Sequence, residues 1–241
     1  MDIINLQLDQ SYLDRAKAEL CLPNFPSTEI IGKIYDAMGG TVEHSQKMES
    51  MITWIKLLEK KYQETVTSIV YGLAHHYKQQ DEGFHSPSDP FYHPQVSYFT
   101  ENAVSRSFSL AEKLAQLINV WKELGMPESG SPRIAVSFKK VRERSVIDLS
   151  AFGDSLDTLS PERHSHTHGL NPEMSRPKVS SVGVGKISSD ERPVEVIMHS
   201  FDESKLPVTP YQQLLRCKNV MGSFTTTVST VFDDIEESLE P

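Results

Sequence analysis

The sequence predicts an all-α fold: a bundle of long antiparallel helices with an irregular insertion at 170–207. Three observations carry this prediction. Two long runs repeat apolar residues every three or four positions, which is a helical period and not the alternation of a strand. A third run follows a capping-box start at Thr209. Strand character is confined to one short stretch inside the insertion.

The chain has 241 residues, 38% of them hydrophobic and 24% charged, values of a soluble globular protein with a substantial core. Its net charge of −9 argues against non-specific attraction to nucleic acid, so a polyanionic partner needs a focused basic contact. Cys21 and Cys217 form neither a disulfide framework nor a zinc pattern, which fits a reduced, cytoplasmic protein. The N-terminus has no basic patch followed by an apolar core, and no window reaches the length of a membrane span. No membrane partner is expected.

Residues 1–42 read as an N-terminal flanking arm, in which Pro23 and Pro26 precede a helix-like run from Ser27 to Met38 that ends at Gly39-Gly40. The helical domain then occupies 43–241. From Glu43 to Lys78, Met48, Met51, Ile55, Leu58, Tyr62, Val66, Ile69, Leu73 and Tyr77 mark the buried stripe of a long amphipathic helix. His75 and His76 near its end are expected to act as cations complementing the helix dipole. Gly83 to Pro94 carries three prolines and reads as a loop whose aromatics, Phe84, Phe91 and Tyr92, pack as a lid over the bundle or, less commonly for such residues, stack on a base.

A second helix is predicted from Val96 to Leu124, with apolar residues on more than one face, as in a central helix. Gly125 to Pro132 is a turn-rich linker, and a third helix is predicted from Arg133 to Leu159. The middle of this third helix, Lys139-Lys140-Val141-Arg142-Glu143-Arg144, is a basic patch that serves as a solvated face or meets phosphate. Within the 170–207 insertion, Val194 to Met198 reads as a short strand. A fourth helix runs from Thr209 through Ile235 into the acidic residues at 233–240.

Chemistry concentrates in Ser160-Pro161-Glu162-Arg163-His164-Ser165-His166-Thr167-His168-Gly169. Serine before proline is a helix-start signal. If the stretch is helical, His164 and His168 share a face with Arg163 nearby and His166 turned away. If it is extended, His164, His166 and His168 line one side. The second geometry suits a metal site completed by Asp154 or Asp157. Signatures for a P-loop, a dinucleotide fingerprint, a zinc-protease helix or a nucleophile elbow are absent, and no cofactor is expected.

The arginine, four-residue gap and histidine at Arg163 to His168 resemble the motif of the HEPN superfamily, helical bundles that often act as metal-independent ribonucleases. His164 stands where that motif often has asparagine, and Gly169 follows His168. The run from Tyr98 to Ala115 is similar to the preceding core helix of such proteins, and the likeness covers roughly 43–235.

The resemblance implies a homodimer whose two motifs face each other. Arg163 then binds the scissile phosphate of RNA, His168 acts as general acid or base, and His164 orients the site or shares the proton transfer. An arginine stays charged and binds phosphate through two parallel donors, and histidine titrates near neutral pH. Two further uses of the same residues stand beside this one. One is a HEPN-like module that binds RNA, a nucleotide or a protein partner without cutting, and the other is metal binding by the three histidines.

Overall fold

The computed structural model describes residues 8–81, 94–131, 134–168, 179–188, 193–201 and 208–239. The fold is an all-α helical bundle built on three long helices. The longest, α3 (Val42–Asp81), has 40 residues and spans about 60 Å at 1.5 Å per residue. Its first turn is capped where the His44 N–H donates to Thr41 Oγ1 at 3.2 Å. α4 (Pro94–Trp121) returns antiparallel to α3, as successive contacts show. Phe99 meets Tyr71, Arg106 donates to Glu64 O and Ser68 Oγ, and Lys113 lies over Trp54.

The third long helix, α8 (Pro210–Leu239), packs antiparallel to α3, with Leu214 against Gly72 and Phe224 against Tyr62. Trp121 donates to Ser238 Oγ at 3.1 Å, so the C-terminal ends of α4 and α8 meet and these two helices run in the same sense. The shorter elements between them carry the chain back along the bundle.

Two N-terminal helices, α1 (Gln10–Leu20) and α2 (Ser27–Asp36), lie on this frame. Phe25 between them is 8% exposed and packs against Tyr62, Phe224 and Phe232, while the Tyr62 hydroxyl donates to Pro23 O at 2.6 Å. Fixing that hydroxyl indoors satisfies a group whose burial would otherwise be costly.

The single helix expected from Arg133 to Leu159 is broken. Its described residues form α5 (Phe138–Arg144) and α6 (Ser150–Asp157), separated by an extended turn at Ser145. The cause is local. Ser145 Oγ accepts from the Ile147 N–H at 3.0 Å, and Asp148 Oδ1 accepts from the Ser150 N–H at 2.9 Å. Short polar side chains thereby offer the backbone an alternative to the helical ladder. α7 (Ser160–His168) follows α6 after one turn.

The insertion has order of its own. β1 (Val179–Ser188) pairs antiparallel with β2 (Pro193–Phe201) in a two-stranded ribbon, with Val184 opposite Ile197 and Lys186 opposite Glu195. The strand expected at Val194 to Met198 lies inside β2. The loop aromatics Phe84, Phe91 and Tyr92 fall outside the described residues. Among the described residues, no helix is long and apolar enough to cross a membrane.

Candidate active site on helix α7

α7 begins at Ser160, where serine and proline predicted a start, and it stays helical through His168. Of the two geometries open to the histidine stretch, the helical one is realised. The turn before it is set by Thr158, whose hydroxyl donates to Ser155 O at 2.6 Å, and the Arg163 N–H then donates to Leu159 O at 3.0 Å. Leu159 is fully buried and anchors the start of the helix in the core.

The inner face of α7 is polar, yet it is buried against α8. Glu162 is 2% exposed and pairs with Arg216. His166 is half-buried, with its Nε2 3.0 Å from Gln213 Oε1. Gln213 is fully buried, and its amide nitrogen donates to Val208 O at 3.1 Å. That bond turns the amide oxygen towards His166, so the imidazole is the donor and carries its proton on Nε2. Glu162 and His166 are four apart on α7, and their partners are three apart on α8, so the pairs form two rungs between neighbouring helix faces.

These rungs fix the rotation of α7. Arg163 and His164 are exposed. The Arg163 guanidinium lies over the ring of Phe108 on α4, with Cζ 4.4 Å from the ring centroid. An aromatic face attracts the cation and holds it at the surface of α7. His168 ends α7 four positions after His164, which places the two at one register of the helix.

One turn beyond Phe108, Glu112 Oε2 accepts from the Phe138 N–H at the start of α5, at 3.3 Å. Much of the Glu112 side chain meets solvent, but desolvation of its carboxyl holds the group above the usual carboxylate range. The Phe138 N–H opposes that shift, followed by the charges of Arg163, Lys113 and Lys140. Beneath α7, the Cys217 thiol is fully buried and is pushed up to about 12 chiefly by that burial, so it is no nucleophile at neutral pH.

The residues considered for a metal site are drawn apart. Asp154 and Asp157 both hold Arg142, at 2.5 and 3.2 Å, while His166 turns to Gln213 and His164 faces outward. Among the described residues, no group of three His, Cys, Asp or Glu side chains could hold a metal ion. His76, expected as a helix-end cation, instead stacks on Tyr211 at 4.3 Å, and burial, with Arg15 nearby, holds it below the ordinary imidazole range. A recess of about 520 Å³ lined by His44, Lys47, Met51, Trp121 and Leu239 lies at the far end of α8 from Gln213, remote from α7.

Sequence reasoning singled out Arg163, His164 and His168 as candidates and did not connect Phe108, Glu112, Gln213 or Arg216 with them. Phe108 is one apolar position among many in the second predicted helix, and Gln213 follows the capping-box residue Gln212 without a pattern of its own. Their relation to α7 is tertiary, with 47 positions separating His166 from Gln213.

A HEPN family model, HEPN_Cthe2314-like HEPN, matches residues 54–236, from the first third of α3 to near the end of α8. No curated protein and no solved structure matches the chain. The family match spans most of the chain, includes the Arg163 to His168 motif, and agrees with the helical bundle that presents it: the chain belongs to the HEPN_Cthe2314-like HEPN family.

Proposed function

We propose that this chain is a metal-independent endoribonuclease of the HEPN type, acting in the cytoplasm as a homodimer. The observation that carries the reading is the setting of α7. Two rungs anchored on the buried Glu162 and Gln213 hold its inner face, while Arg163 lies over the Phe108 ring at the surface of the same short helix that ends at His168.

RNA cleavage without a metal needs a base to take the 2′-hydroxyl proton and an acid to protonate the leaving 5′-oxygen. The 2′-oxygen attacks the adjacent phosphorus, the bond to the 5′-oxygen breaks, and the products carry a 2′,3′-cyclic phosphate and a 5′-hydroxyl. Negative charge grows on the phosphate oxygens during this step, and Arg163 is the group that meets it. His168 serves as acid or base, and the second subunit supplies the other. His164 orients the site or shares the proton transfer.

The test is incubation of purified protein with mixed-sequence RNA in excess chelator, beside Arg163→Ala and His168→Ala. The parent is expected to give 2′,3′-cyclic phosphate ends and both variants to give none while keeping the parental melting temperature. RNA binding without product from the parent would instead favour a non-catalytic HEPN module.

A further inference from the structure

The basic patch at 139–144 has a more specific arrangement than a solvated face. Arg142 is taken up by Asp154 and Asp157. Lys140 is half-buried at the junction of α4 and α5, with its ammonium donating to Ala135 O at 2.5 Å. The α4 turn from Phe108 to Glu112 underlies both neighbouring elements, since Phe108 carries Arg163 of α7 and Glu112 accepts from the first N–H of α5. Lys140 lies two residues further along α5. Lys113 follows Glu112 on α4, and its ammonium stands 5.0 Å from the centroid of Trp54.

Lys113 beside Glu112 on α4, Lys140 two residues into α5 and Arg163 of α7 on Phe108 thus bring three cations from three helices to the Phe108–Glu112 turn of α4, and their charges favour the ionised form of the Glu112 carboxyl. This group carries more positive than negative charge, in a chain whose net charge is −9. Such a local excess is what a polyanion needs to find a defined place on an acidic protein. The Glu112 bond to the Phe138 N–H is a long contact to a neutral donor, and the side chain reaches solvent, so the carboxylate can give way to a stronger anion.

We propose that Lys140 and Lys113 extend the Arg163 contact into a second phosphate subsite for single-stranded RNA, in which the incoming phosphate displaces the Glu112 carboxylate from these cations. The proposal rests on reading Arg163 as a phosphate-binding residue. It names Lys140, Lys113 and Glu112 as determinants of RNA binding outside the motif itself.

The experiment measures binding of a fluorescein-labelled, mixed-sequence RNA with 2′-O-methyl riboses, which cannot be cleaved, by anisotropy over a salt series. Lys140→Ala and Lys113→Ala are each expected to weaken binding several-fold and to reduce the salt slope by about 0.7, the value for one phosphate contact on a single strand. Lys140→Arg keeps the parental slope. Glu112→Gln tightens binding, because it removes the competing charge and keeps an oxygen for the Phe138 N–H. Lys60→Ala, at an exposed position on α3, changes nothing.

Parental slopes for Lys140→Ala and Lys113→Ala, together with a reduced slope for Arg163→Ala, overturn the subsite and leave the reading of Arg163 standing. Absence of binding by the parent overturns both. Should a lysine variant lose its cooperative melting transition, Glu112→Gln decides, and unchanged or weaker binding by that variant overturns the proposal.

Discussion

His166 on α7 and Gln213 on α8 are joined by a hydrogen bond of 3.0 Å, in which the buried amide oxygen accepts the imidazole proton. The first turn of α8 is held independently from below. Thr209 Oγ1 accepts from the Gln212 N–H at 3.2 Å, and Gln212 Oε1 accepts from the Thr209 N–H at 3.0 Å, a reciprocal capping box. A rigid turn is therefore the fixed point against which the motif helix is set.

Replacing His166 by alanine leaves the Gln213 oxygen buried without its partner, at a cost of about 1–3 kcal/mol. Urea unfolding should show that loss, and Gln213→Leu, which removes the polar group itself, should cost less in the His166→Ala background than in the parent. RNA cleavage should fall in His166→Ala because α7 loosens, and not because a proton donor is gone. His166→Gln, which keeps a donor, should recover part of it.

Glu162 gives a second handle on the same interface. Its carboxylate is buried, one oxygen is paired with Arg216, and the other has no hydrogen-bond partner among the described residues. Removing Arg216 strands the charge, and a fully buried pair broken in this way loses about 3–5 kcal/mol. Arg216 is 42% exposed, so solvent screens part of the effect and Arg216→Ala should lose about 1–3 kcal/mol. Glu162→Gln should lose less than Arg216→Ala, and the double variant less than the sum, as read from a double-mutant cycle of urea unfolding.

Two helical glycines should answer differently to alanine. At Gly72 a methyl group would stand 2.9 Å from both δ carbons of Leu214, a fully buried residue. Overpacking of that kind costs about 1–3 kcal/mol, against a gain in helix propensity of about 0.5–1 kcal/mol. Gly72→Ala should therefore lower the melting temperature. At Gly153 the clash is at 2.5 Å with the Arg142 guanidinium, the far end of a flexible side chain whose partners Asp154 and Asp157 are exposed. Such a pair is worth at most about 1 kcal/mol, so Gly153→Ala should leave stability close to the parent.

The long helices were legible in the sequence because burial repeats along them. Met48, Met51, Ile55, Leu58, Tyr62, Ile69, Leu73 and Tyr77, the residues of the predicted stripe apart from Val66, are all buried on α3. The break between α5 and α6 was not legible, since Phe138, Val141, Leu149 and Phe152 keep a helical spacing across it while Ser145 and Asp148 turn the backbone. β1 was hidden by Gly183 and Gly185, whose strand character comes from pairing with β2. The site candidates Arg163, His164 and His168 are neighbours in sequence and stood out together. Phe108, Glu112 and Gln213 belong to other helices and carry no local mark of their role.

The His76 ring offers a test of the packing between α3 and the first turn of α8 that is independent of RNA. It stacks on Tyr211 of α8 with an interplanar angle of 13°, and its Nε2 is buried without a hydrogen-bond partner among the described residues. Burial first, and the charge of Arg15 second, lower its pKa from the ordinary 6.5. The unfolded chain therefore takes up a proton at a pH where the folded chain does not. Stability rises with pH wherever the unfolded state binds more protons, so the contribution of His76 is fully present above about pH 6.5 and is lost as the pH falls towards its folded pKa. His76→Phe keeps a flat ring against Tyr211 and removes the proton site. Melting temperatures taken from about pH 7.5 down to about pH 5.5 should fall more steeply for the parent than for His76→Phe. Parallel curves would mean that the imidazole reaches water in the folded protein and that the contact between α3 and the first turn of α8 is looser than the stacking implies.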